Sequence, residues 1–170
     1  MLKVQVCRKN SQPGIRVRPE RTQDDFAIRE MQQNDIAELI KIEKRSFIAP
    51  WTERIFEETL FSPISINFVA KKGDVLLGYI MVYCVHDEAH ILNLAVHPDF
   101  RNKGYASRLI ASIIEYCLEK NIKEIFLEVR ESNTSAQNLY KKHGFETIGK
   151  RKCYYIESNE DALVMKLALH

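Results

Sequence analysis

One apolar repeat in this chain can only be a helix, and the helix is entered through a loop of small residues. Ala106, Leu109, Ile110, Ile113, Ile114, Cys117 and Leu118 recur at steps of three and four, which paints a continuous stripe along one helix face, suited to lie on a sheet. Just upstream, Leu94-Ala95-Val96 reads as the end of an apolar strand and Pro98 turns the chain. Arg101-Asn102-Lys103-Gly104-Tyr105-Ala106-Ser107 then leads into the helix. Such an entry makes an anion site out of backbone. The first N–H groups of a helix lack internal partners and stand at the positive end of its dipole. Gly104 and Ala106 keep bulk away from an approaching phosphate, and Arg101 and Lys103 add charge. Taken alone, the loop also fits an ordinary strand-to-helix connection with a solvated basic turn.

The other elements follow from periodicity and punctuation. Ala27 to Met31 reads as a first strand, and Asn34-Asp35 can cap a helix whose apolar positions are Ile36, Leu39, Ile40 and Phe47. Pro50 breaks it, Thr52 can cap a second helix to about Leu60, and Pro63 ends that segment. Three antiparallel strands come next: Ile66 to Lys71, Val75 to Val85 after the hairpin signal Lys72-Gly73-Asp74, and Ala89 to Val96 after the turn at His86-Asp87-Glu88. The helix with the long stripe then leads to a strand over Lys123 to Arg130, which makes a strand-helix-strand unit. A helix from about Asn133 to His143 closes at Gly144, and strands at about Glu146 to Tyr155 and Ala162 to Leu169 complete a mixed α/β domain.

At 170 residues the chain suits one domain. Its 45% hydrophobic and 28% charged content is that of a soluble protein, and no apolar run nears the roughly 20 residues needed to span a bilayer, so no membrane role is expected. Nothing at the N-terminus reads as an export signal, which makes the cytoplasm the expected location. Cys7, Cys84, Cys117 and Cys153 form no C-x-x-C pair and read as reduced, packing or surface thiols. A formal net charge of +2 does not require nucleic acid as a partner. Residues 1–25 are uneven, with Lys3, Arg8, Lys9, Arg16, Arg18 and Arg21 interrupted by Pro13, Gly14 and Pro19. They read as an irregular basic extension before a single domain over 26–170, either solvated or able to meet RNA or an acidic surface.

Several side chains could carry chemistry. Glu128 alternates with Leu127 and Val129 on a strand expected to have helices over both faces. Partial burial in a cleft would raise its pKa and suit it to general-base work; the other reading is a strand-end charge. Tyr140 lies on the apolar stripe of the next helix and can be core, yet a phenol is protonated at neutral pH and can hand its proton to a leaving thiolate. Asn133 can cap that helix or reach a ligand. His86-Asp87-Glu88-Ala89-His90 has a superficial zinc-protease look, but its second position is Asp and it sits at a strand turn, so no metal is expected.

Taken together, Leu94-Ala95-Val96, Arg101-x-x-Gly104-x-Ala106, Leu127-Glu128-Val129-Arg130-x-x-Asn133, Leu139-Tyr140-x-x-x-Gly144-Phe145 and Tyr154-Tyr155 followed by Glu160-Asp161-Ala162 resemble the GNAT acetyltransferases over residues 26 to 169. Ile42-Glu43, Pro50-Trp51 and the double tyrosine look most like the RimI-type ribosomal-protein N-terminal acetyltransferases. The resemblance implies a GNAT fold: a mixed sheet of six or seven strands, antiparallel at first and parallel at splayed middle strands, with about four helices. It implies acetyl-CoA in the splay, pantetheine on the backbone of Leu94, Ala95 and Val96, diphosphate on Asn102 to Ser107 with Arg101 nearby, and Asn133 against the cofactor. Glu128 would be the base, acting through water, and Tyr140 the acid. Phe47, Trp51, Tyr154 and Tyr155 would line a slot for a protein N-terminus, such as that of a ribosomal protein. Ala106 stands where glycine is commoner, Ile156 follows the tyrosines, and the basic extension lies outside the match.

Overall fold

Glycine and proline punctuation sets where the elements stop. A computed structural model describes residues 26–170, and the basic extension read into residues 1–25 lies outside them. Seven strands, β1 (Phe26–Glu30), β2 (Ser65–Lys72), β3 (Val75–Val85), β4 (Glu88–Val96), β5 (Glu124–Arg130), β6 (Glu146–Tyr155) and β7 (Glu160–Ala168), form one sheet in the order β1-β2-β3-β4-β5-β7-β6. Four helices accompany them: α1 (Ile36–Ser46), α2 (Glu53–Leu60), α3 (Tyr105–Glu119) and α4 (Thr134–Lys142). Gly73 turns the β2–β3 hairpin at φ +57°, and Gly144 ends α4 at φ +88°. The Thr52 side chain accepts from Ile55 N at 3.4 Å and so caps α2.

The sheet is antiparallel at every junction except β4–β5, where the α3 crossover makes the pair parallel. β7 enters between β5 and β6, so the mixed sheet returns to antiparallel pairing on its far side. β6 is left as an edge strand, exposed along almost all its length.

Each sheet face has its own core. On one, Leu109, Ile110, Ile113 and Cys117 of α3 and Tyr140 of α4 pack with Ile125, Leu127 and Val129 of β5. On the other, Leu39 and Ile42 of α1 and Phe56 of α2 cover Val69, Tyr79 and Ala95. Three expectations need correction. Leu118 stands 48% exposed, because the stripe that meets the sheet is narrower than the apolar pattern. Phe47 lies past the end of α1 in extended backbone, φ −126° and ψ 146°, because the helix has already closed on its last turn. Helices do not cover both faces of β5: on the face away from α3, Phe126 stacks on His90 and Arg130 lies over Tyr155.

Gly78 on β3 stands opposite Val96, and a Cβ there would come within 2.6 Å of the Ala95 carbonyl oxygen, a backbone atom that cannot step aside. The close approach of β3 to the end of β4 therefore depends on glycine. Gly78→Ala is expected to lower stability by about 1–3 kcal/mol, measured by urea unfolding at unchanged m-value.

Candidate active site

β4 carries one residue more than its ladder with β3 can use. Met81 faces Asn93 but Val82 faces Ile91, so Leu92 is left as a bulge. On the other edge of β4, pairing with β5 runs only over Glu88–Ile91 against Glu124–Leu127. Beyond it the two strands part. His97 N donates to Leu77 O at 2.8 Å, so by antiparallel alternation Ala95 and Asn93 turn their backbone groups to β3. Leu94 and Val96 turn theirs to the gap. Unpaired strand backbone of this kind is a ready partner for an extended, amide-bearing ligand.

The loop after β4 meets the gap at its open end. Gly104 takes φ +82° as the N-cap of α3, and among the described residues none beyond its chain neighbours comes within 4 Å of where its Cβ would stand. Asn102 is also left-handed, at φ 60°. The N-cap residue, Gly104, has no side chain to cap α3, which leaves the first N–H groups of the helix available to a ligand. The two basic side chains of this loop are turned onto protein groups. Arg101 Nε donates to Val96 O at 3.2 Å and its Nη2 to Ser46 Oγ at 3.0 Å, because a carbonyl stripped of its ladder partner needs a donor. Lys103 Nζ lies 3.5 Å from Asp99 O and 5.3 Å from the Phe100 ring centre. Tyr105 turns its ring onto Phe26, and Ala106 is half-buried. Ser107 Oγ sits 2.7 Å from His143 Nε2, a contact that sequence reading missed. Burial, aided by Lys142, holds that imidazole below its usual pKa.

Glu128 and Tyr140 occupy opposite faces of β5 beside the gap. The Glu128 side chain is 23% exposed and its Oε1 meets Arg151 Nη2 at 3.2 Å. Tyr140 is buried against Phe145, with ring centres 5.7 Å apart. Burial first, then the neighbouring Tyr155, raises the Tyr140 phenol well above its usual pKa. The Asn133 side-chain oxygen accepts from Ala136 N at 3.1 Å, which is the capping role, and the residue is exposed.

The four aromatic residues divide into two groups. Trp51 packs edge-on to Phe56, ring centres 5.6 Å apart, while Phe47 is 37% exposed nearby in the α1–α2 loop. Tyr154 and Tyr155 meet edge-on at 5.2 Å at the end of β6. The Tyr155 hydroxyl donates to the Glu128 carbonyl at 3.3 Å, and burial pushes its pKa up to about 12. Arg130 holds this end together: it lies 3.9 Å over the Tyr155 ring and bonds Glu157, Ser158 and Glu160.

Glu43 is the largest omission from the site as read in the sequence. Its side chain is almost fully buried, receiving Trp51 N at 2.9 Å, Asn93 Nδ2 at 3.2 and 3.3 Å, and the Tyr79 hydroxyl. Burial raises its pKa against the pull of these donors. The available signal was a carboxylate on the buried side of α1, directly after Ile42.

The family described as "Acetyltransferase (GNAT) family" matches residues 36–145. A putative ribosomal protein bS18-alanine N-acetyltransferase of Bacillus subtilis is 39% identical over 145 residues, 85% of this chain and 96% of that protein. The solved ribosomal-protein-S18-alanine N-acetyltransferase of Escherichia coli superposes with a TM-score of 0.79 at 29% identity, covering 84% of this chain and 93% of that one. Ard1 of Thermoplasma volcanium superposes equally well, TM-score 0.79 at 28% identity, covering 86% and 99%.

Gly104 is required by its backbone angle and not by crowding. Gly104→Ala is expected to cost about 1–2 kcal/mol of stability in urea unfolding, the penalty of a left-handed L-residue, and to weaken binding of a diphosphate ligand at the α3 entry.

Proposed function

This chain belongs to the GNAT acetyltransferase family, and from that premise we propose that it moves the acetyl group of acetyl-CoA to the N-terminal α-amine of a protein. The acceptor is a ribosomal protein beginning with alanine, by likeness to the B. subtilis and E. coli proteins. One observation carries the reading: β4 and β5 part after Ile91 and Leu127, with the backbone of Leu94 and Val96 turned into the gap and Glu128 and Tyr140 on either side of β5. The pantetheine amides pair with Leu94 and Val96 as a strand would, and the diphosphate rests on the N–H groups of 102 to 107. Asn133 meets the cofactor through its amide nitrogen. An acceptor carried by a ribosomal subunit places the reaction in the cytoplasm.

The neutral amine attacks the thioester carbonyl carbon, forming the C–N bond. Glu128 takes the amine proton through a water, and the exposed Arg151 side chain swings away to admit it. The C–S bond breaks, and the sulfur takes a proton from Tyr140, which recovers one from solvent. Acidity alone opposes that last transfer, because the phenol is held above its usual value of about 10 while a thiol stands near 8.5. Tyr140 therefore gives up its proton together with C–S cleavage and not before it. An α-amine of pKa about 8 suits this site, since much of it is already neutral near physiological pH. Phe47 and Trp51 on one side and Tyr154 and Tyr155 on the other receive the first residues of the acceptor.

Incubation with acetyl-CoA and a peptide panel, read by mass spectrometry, tests the assignment. Acetylation of alanine-initiated peptides at the α-amine is expected. Efficient acetylation of a polyamine or of lysine side chains with no α-amine product would overturn it. Binding of acetyl-CoA without any transfer would mark a cofactor-binding adaptor instead.

Glu128→Gln is expected to lower kcat about 100-fold, within the usual range for loss of a general base, with little change in acetyl-CoA affinity. The pH profile carries a sign. A phenol with a raised pKa stays protonated, so kcat should climb as the acceptor amine loses its proton and show no falling limb from Tyr140 below about pH 10.

A further inference from the structure

Glu43 is a buried carboxylate that the chemical steps do not use. It sits on the stripe of α1 that also buries Ile36, Leu39 and Ile42, and it is 1% exposed. A charge in such a place is retained only if its oxygens are fully engaged. Its partners all donate: the Trp51 backbone N–H, the Asn93 amide and the Tyr79 hydroxyl. A carboxylate satisfies all three at once, whereas an amide in its place would set N–H groups against N–H groups.

Those donors belong to three separate segments. Trp51 opens the stretch between Pro50 and α2, on the loop that also carries Phe47. Asn93 is the first residue after the Leu92 bulge and directly precedes Leu94, whose backbone faces the gap. Tyr79 lies in the middle of β3 and meets Phe56 of α2 edge-on at 5.5 Å. One side chain thus joins the α1–α2 loop to the point at which β4 leaves its ladder.

We propose that Glu43 is a positioning residue for acetyl transfer, fixing the acceptor-side loop at Trp51 to the bulged segment of β4 at Asn93 and so setting the acceptor's approach to the thioester. The assignment of that loop to the acceptor rests on the function proposed above. A purely structural Glu43 would affect stability and leave the balance between the two substrates alone. A positioning Glu43 acts on the acceptor in particular.

Trp51 is the only tryptophan in the chain, so its fluorescence reports on this loop without any turnover. The test uses the full chain with Glu43→Leu, which keeps an apolar filling, Glu43→Gln, and Asn93→Ala, which removes one donor and leaves the carboxylate. In folded variants the acceptor kcat/KM is expected to fall at least tenfold while acetyl-CoA affinity by calorimetry stays within about threefold. Trp51 emission is expected to shift on acetyl-CoA binding in the wild type, and that response is expected to be lost in the variants. The double variant Glu43→Gln/Asn93→Ala should be no worse than the poorer single variant. Wild-type acceptor kinetics and emission in Glu43→Leu would overturn the proposal, as would equal losses of acetyl-CoA and acceptor binding. If Glu43→Leu does not fold, Asn93→Ala decides by the same criteria. If the wild type acetylates no peptide, the functional assignment fails, and the Trp51 response to acetyl-CoA still decides whether Glu43 couples the loop to β4.

Discussion

A strand with one residue too many cannot keep both neighbours. Leu92 is that residue in β4, and its bulge against β3 coincides with the point where the parallel ladder to β5 stops, after Ile91 and Leu127. A regular β4 would bond β5 along its whole length and leave no backbone for a ligand. Because the strands part, Leu94 and the Val96 N–H are left without a partner on β5, Arg101 is drawn back to the Val96 carbonyl, and Glu128 lies just past Leu127, the last residue of β5 paired with β4.

The surroundings hold that opening in shape from both faces. On one, α3 is anchored by its apolar stripe and delivers its uncapped N-terminus to the end of β4. On the other, α1 buries Glu43 against Asn93 and Trp51. Gly78 lets β3 approach Ala95 and Val96 more closely than any side chain would allow. At the far edge, Arg130 gathers the β6–β7 connection over Tyr155, beside the Glu128 carbonyl. Hydrogen bonds between polar groups of separate segments tie the walls of the cleft together.

Much of this was legible because it depends on local chemistry. The stripe from Leu109 to Cys117, the hairpin at Gly73, the Thr52 cap and the Gly144 stop are written in neighbouring residues, and much of the fold followed from them. The illegible parts are non-local. Nothing in Ile91-Leu92-Asn93-Leu94 says which residue is the surplus one, since that depends on register with β3. The placing of β7 between β5 and β6 is a long-range pairing. The direction of Arg101 is set by a carbonyl that loses its partner only when the strands part. Ile42-Glu43 carries part of the family resemblance, but the partners of Glu43, Asn93 and Tyr79, come to it from distant segments.

The function proposed above requires acetyl-CoA to bind along the open backbone of β4 at the splay. Amide hydrogen exchange with and without saturating acetyl-CoA measures this directly. The amides of Leu94 and Val96, and those of 104 to 107 at the α3 entry, should gain protection together. Unchanged exchange at Leu94 and Val96 in the presence of bound acetyl-CoA would contradict it.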